Sequence, residues 1–197
     1  MPANALIIHG SPDREEYYDP DVPSPSNFHW LPWLAKQLIV RDVPAHTPEM
    51  PRPYDPDYAD WCREFERYDL TDETILVGHS CGGGFLARYL SDHPDLRVGR
   101  VALVAPWLGI RLSGETPAFF DFVLDPDLAE RTGGLIVIGS DNDDGGVLDS
   151  IRLLRDTVKN LDYREFPGKG HFVLSDLPDG TFPELLDALT ADSSQGR

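Results

Sequence analysis

Gly78-His79-Ser80-Cys81-Gly82-Gly83-Gly84 follows the apolar run Thr74-Ile75-Leu76-Val77 and leads into Phe85-Leu86-Ala87-Arg88-Tyr89-Leu90. The run reads as a buried strand, and Phe85, Leu86, Tyr89 and Leu90 recur at helical spacing. The stretch therefore turns a strand sharply into a helix, with one serine among four glycines. A Walker-type phosphate loop would need Lys and then Ser or Thr after the last glycine, where Phe85 and Leu86 stand. Gly82, Gly84 and Ala87 match the dinucleotide pattern G-x-G-x-x-A. The ribose-binding acid that this pattern requires about 20 residues on is missing from Val101-Ala102-Leu103-Val104-Ala105-Pro106. What remains is G-x-S-x-G, Gly78 to Gly82, at a strand-to-helix junction. Strand and helix approach closely in such a turn. Gly78 and Gly82 leave room for it, and Ser80 is lifted above the sheet edge.

Further strands are expected at Ala5-Leu6-Ile7-Ile8, Val101–Val104 and Leu135-Ile136-Val137-Ile138. Helices are expected around Tyr58–Tyr68, Val147–Val158 and Phe182–Leu189, and His29–Leu34 reads as the start of the first helix. Short apolar strands alternating with amphipathic helices predict an α/β fold, a three-layer α/β/α sandwich around a mainly parallel, doubly wound sheet. Ligands of such sheets bind beyond the carboxyl ends of the strands. Residues 1–191 are expected to form a single domain and 192–197 a loose tail.

With 34 acidic residues against 17 basic ones, the formal charge of −17 argues against nucleic acid and anionic membranes as partners. Two cysteines, Cys62 and Cys81, are too few for a disulfide scaffold, and no signal peptide or long apolar span is evident. A cytoplasmic location is the default expectation.

A serine hydroxyl needs a base. After Ser80 the histidines are His93 and His171. His93 falls at the far end of the helix that follows the turn. His171 falls in the loop Phe166-Pro167-Gly168-Lys169-Gly170-His171, after a short strand-like stretch, and can reach the sheet edge. The chain order of this fold, serine, acid, histidine, places the acid after the strand 135–138. There Gly139-Ser140-Asp141-Asn142-Asp143-Asp144-Gly145-Gly146-Val147 offers three aspartates. Asp144, nearest the next helix, is the first candidate, Asp143 the second and Asp141 the third. A calcium loop is disfavoured because its twelfth position would be Arg152 rather than Glu. The backbone N–H groups of Cys81 and Ser11 are the expected oxyanion donors, Ser11 lying in the loop Ile8-His9-Gly10-Ser11. His9 and His79 read as structural or pocket-lining.

Together, Ile7-Ile8-His9-Gly10, His29-Trp30-Leu31-Pro32-Trp33-Leu34, Gly78–Gly82, Asp144 before Val147 and Gly170-His171-Phe172 resemble the α/β-hydrolase superfamily. More narrowly, they resemble the small serine hydrolases that include human retinoblastoma-binding protein nine and its bacterial relatives. The resemblance implies a triad of Ser80, Asp144 and His171. It also implies acyl hydrolysis of a small ester, thioester or amide through an acyl-enzyme, without metal or organic cofactor. The family pattern often has proline after the aspartate; here Gly145 stands instead. The partner expected on this reading is a small-molecule acyl substrate. The alternative is a protein-interaction module on the same fold, with little or no turnover and an unknown protein partner. Residues 107–132, with Phe119, Phe120 and Phe122, could form a small cap or belong to the core.

Overall fold

The computed structural model describes residues 4–109 and 117–191; the expected tail, 192–197, lies outside them. Six strands form one sheet: β1 (Ala5–Ile8), β2 (Ala45–His46), β3 (Ile75–His79), β4 (Val101–Val104), β5 (Leu135–Gly139) and β6 (Asp162–Glu165). Their spatial order is β2-β1-β3-β4-β5-β6, and every pairing is parallel. All residues of β1, β4 and β5 are buried, as strands covered on both faces must be. β6 is the exception. Its sequence Asp162-Tyr163-Arg164-Glu165 is polar because it forms an edge, where charge discourages pairing with another chain.

The helices are α1 (Arg14–Tyr18), α2 (Leu31–Ile39), α3 (Tyr58–Phe65), α4 (Cys81–Asp92), α5 (Gly145–Thr157) and α6 (Pro183–Thr190). The segment expected to begin the first helix begins α2, since the five-residue α1 precedes it. From β1 the chain crosses to β2 on one side, and from β3 to β4 on the other. Right-handed crossovers therefore place α2 and α4 on opposite faces of the sheet. α2 meets α6 across Trp30 and Phe182, with ring centroids 5.9 Å apart. α3 meets α4 across Trp61 and Phe85, at 5.4 Å. Phe119 and Phe120 are buried and pack on this second layer, Phe119 lying 5.0 Å from Trp61. They belong to the core.

The strand order reverses between β1 and β3, so the loops leaving their carboxyl ends diverge and open a crevice. Ile8 is in register with Gly78, which puts the loop from His9 beside the turn at Ser80. The close approach is real. A Cβ on Gly78 would lie 2.7 Å from the Gly83 Cα, and one on Gly82 would lie 2.5 Å from the His9 carbonyl oxygen. Both obstacles are backbone and cannot rotate away. Gly82→Ala should therefore destabilise the protein by about 1–3 kcal/mol in urea unfolding. Gly145→Ala, whose Cβ would meet nothing within 4 Å, should leave stability unchanged or slightly raised. Equal midpoints for the two variants would refute the close-packed turn.

Candidate active site

Ser80 joins β3 to α4 with φ 54° and ψ −119°, a region that non-glycine residues seldom occupy. Three hydrogen bonds hold it there. Its N–H donates to the Val104 carbonyl at the end of β4 (2.9 Å), and its own carbonyl accepts from the N–H groups of Gly84 (3.1 Å) and Trp107 (3.0 Å). The side chain is directed to a cavity of about 310 Å³ at the crevice between β1 and β3, which Gly10, Ser11, Ser80 and His171 line together. Among the described residues, the N–H groups of Ser11 and Cys81 have no protein acceptor, as expected of an oxyanion pocket and of a first helical turn. Burial pushes the Cys81 thiol up to about 12, so at neutral pH it is a protonated core group that touches the Ser11 hydroxyl.

His171 donates from Nδ1 to both carboxylate oxygens of Asp143, at 2.9 and 3.1 Å. The Asp143 side chain is 1% exposed and that of His171 31% exposed. A proton fixed on Nδ1 leaves Nε2 as the basic nitrogen. The expectation for Asp144 is corrected here. Its carboxylate caps α5 by accepting the Gly146 N–H at 2.8 Å, and among the described residues the His171 Nδ1 bonds go to Asp143. Asp141, the third candidate, accepts the Gly168 N–H at 2.7 Å. Each residue from Ser140 to Asp144 has its own task. The Ser140 hydroxyl accepts from the Lys169 N–H (2.9 Å) and Asn142 Oδ1 from the Gly170 N–H (2.8 Å). The loop after β5 thus grips the histidine loop side chain by side chain.

Three residues to which the sequence assigned no individual role at the site complete this scaffold. Asp176 accepts the His171 and Val173 N–H groups at 3.0 and 3.2 Å. Trp30 donates from Nε1 to the Phe172 carbonyl at 3.1 Å. His29, with φ 55°, accepts the Leu174 N–H on Nδ1 at 3.1 Å. His79, fully buried, donates from Nε2 to the His171 carbonyl at 2.8 Å. His9 donates from Nδ1 to the Gly10 carbonyl (2.7 Å) and accepts the Met50 N–H on Nε2 (2.9 Å), which fixes the loop after β1. His93 bonds the Tyr89 carbonyl in the last turn of α4 and does not line the cavity.

A model of the serine hydrolase family matches residues 22–178. The chain belongs to the serine hydrolase family. The YdeN protein of Bacillus subtilis strain 168, named as a candidate hydrolase, is 38% identical over 109 residues, 53% of this chain and 51% of that protein. That alignment spans about half the length of the curated relative. The crystal structure of the B. subtilis ydeN product superposes over 97% of this chain and 98% of its own, with a TM-score of 0.79 and 27% identity. An α/β serine hydrolase homologue from Coxiella burnetii covers 96% of this chain and 85% of its own, with a TM-score of 0.60. At 15% identity it speaks for the fold alone. Family and fold agree with the resemblance carried by the sequence motifs. Among the described residues, no helix is long and apolar enough to cross a membrane.

Burial holds three histidines around the site neutral. It lowers His29 from the ordinary 6.5 to about 4, lowers His79 well below 6.5, and lowers His9 despite the neighbouring Glu49. His171 lowers His29 and His79 further, since a second positive charge beside it is penalised. For a histidine lowered in the folded state, the stability is fully present above the unfolded value. It is lost as pH falls towards the folded one. The thermal midpoint should therefore fall between pH 6.5 and 4, and fall less steeply in His29→Asn. A midpoint that is flat over that range would contradict the buried neutral histidines.

Proposed function

We propose that this member of the family hydrolyses small neutral carboxylic esters through an acyl-enzyme on Ser80. The observation that carries this reading is the buried Asp143 bound to Nδ1 of His171, which shares a cavity with Ser80. On it, His171 Nε2 takes the hydroxyl proton as Ser80 Oγ attacks the carbonyl carbon. Asp143 holds the tautomer and stabilises the imidazolium. The N–H groups of Cys81 and Ser11 receive the developing oxyanion, each such donor contributing ~3 kcal/mol of transition-state stabilisation. His171 then returns the proton to the leaving alcohol. In the second half it activates water against the acyl-enzyme, and every step uses protein groups and water only. The turn at Ser80 serves as the nucleophile elbow, since its strained backbone aims Oγ at the cavity.

The walls narrow the substrate. Pro12, Tyr17, Pro25, Phe28, Leu31 and Val173 are mostly apolar, and a cavity of about 310 Å³ suits a short acyl chain. Glu16 at the rim and the net charge of −17 weigh against anionic substrates.

Hydrolysis of p-nitrophenyl acetate and butanoate, followed at pH 7.5, tests the reading. Ser80→Ala should fall to the background rate. Asp143→Asn should lower kcat by a factor on the order of 10⁴, because the imidazole tautomer is lost. Asp144→Asn should keep kcat near the original, because Asn caps a helix about as well as Asp. Undiminished turnover in Ser80→Ala would remove the serine mechanism. A large loss in Asp144→Asn with none in Asp143→Asn would reassign the acid.

A further inference from the structure

His29 stands where the sheet's crevice, the histidine loop and the first long helix meet. Its ring stacks on Phe28 with centroids 4.1 Å apart and meets His79 edge-on at 5.9 Å. It lines the cavity together with Ser80 and His171. Nδ1 is occupied, because it accepts the Leu174 N–H at 3.1 Å. A neutral imidazole whose Nδ1 accepts must carry its proton on Nε2. Burial and the proximity of His171 keep the ring neutral, so this tautomer persists at neutral pH. Among the described residues, no protein group accepts from His29 Nε2. The side chain is pinned on one edge and carries an unspent donor on the other. The rest of the wall is mostly proline, aromatic and aliphatic; its other polar groups are the Ser11 and Tyr17 hydroxyls, Glu16, and the imidazoles of His9 and His79, which are bonded to backbone groups. The backbone is held at φ 55°, an arrangement that residues at binding sites often bear.

We propose that His29 is a specificity residue whose Nε2–H donates a hydrogen bond to a substrate oxygen beyond the scissile carbonyl. This rests on the ester-hydrolase reading and sharpens it. The favoured substrates are esters carrying an ether, hydroxyl or keto oxygen a few atoms from the reacting carbon. Purely hydrocarbon esters leave the donor unpaired. The ring takes no part in proton transfer, since its one proton is retained and its lone pair is occupied.

The two nitrogens can be separated by substitution. Asparagine places an acceptor near the Nδ1 position and so retains the Leu174 N–H bond, but it has no donor at Nε2. Glutamine reaches the Nε2 position with an amide N–H. Two matched ester pairs probe both sides of the carbonyl: methyl methoxyacetate against methyl butanoate, and 2-methoxyethyl acetate against butyl acetate. Hydrolysis is followed by pH-stat at pH 7.5. For at least one pair, the kcat/KM ratio of the oxygenated ester to its carbon analogue should fall about 3- to 10-fold in His29→Asn, as loss of one neutral hydrogen bond implies. In His29→Gln it should stay within about 2-fold of the original. Comparing the ratio between variants cancels the intrinsic reactivity of the esters. A merely structural role would lower both members of a pair alike. Ratios unchanged in His29→Asn for both pairs would overturn the proposal.

If no ester is turned over, the hydrolase reading fails and the donor is read by binding alone. The imidazole ¹⁵N spectrum of Ser80→Ala protein is titrated with methyl methoxyacetate and, in parallel, methyl butanoate. A shift of the His29 Nε2 resonance with the oxygenated ester alone supports the donor. No shift, or the same shift with both esters, overturns it.

Discussion

The backbone of Ser80 is the constraint on which the rest of the site depends. Its conformation costs on the order of 1–3 kcal/mol and persists only because its surroundings over-determine it. The N–H is tied to the end of β4, and the carbonyl to the start of α4 and to Trp107. Glycines at 78 and 82 allow β1, β3 and α4 to close around the turn, with no room for a methyl group. Because Ile8 pairs with Gly78, this closure also sets the loop after β1 against the serine. Ser80 and the N–H groups of Ser11 and Cys81 are thus placed by one packing event rather than by separate devices.

The histidine depends on a different kind of support. Its loop runs from the polar edge strand β6 and is anchored by Phe166 and the buried Phe172, which pack on Phe182. Hydrogen bonds to side chains add to this packing: Ser140, Asp141 and Asn142 hold residues 168–170, and Asp176 holds the backbone of His171 itself. Trp30, His29 and His79 secure the other side, linking the loop to α2 and β3. The acidic run after β5 is therefore a clasp. Burial singles out one member, Asp143, for the imidazole.

Much of this was legible in the sequence. The apolar runs gave β1, β3, β4 and β5, and the turn motif identified Ser80 because its glycine spacing reflects a steric demand. The order of residues led to His171. What escaped reading was set by tertiary geometry. β2 is two residues long and β6 is polar, so neither carries a periodic signal. Asp143 and Asp144 are adjacent and chemically identical, and only the direction in which α5 starts decides which caps the helix. An aspartate immediately before Gly145, two residues ahead of the N–H it accepts, carries the signature of an N-cap. Weighing that local demand against the distant histidine would have favoured Asp143. The tautomer of His29 depends on a contact with Leu174, 145 residues away, and no local pattern encodes it.

The central claim is that the strained turn makes Ser80, and no other hydroxyl or thiol, the group that attacks a carbonyl. Reaction of the unmodified protein with a fluorophosphonate, followed by peptide mass mapping, tests it most directly. The account predicts a single adduct on the peptide that carries Ser80, formed on that residue. An adduct on Ser11 or Cys81, or none on the folded protein, would contradict it.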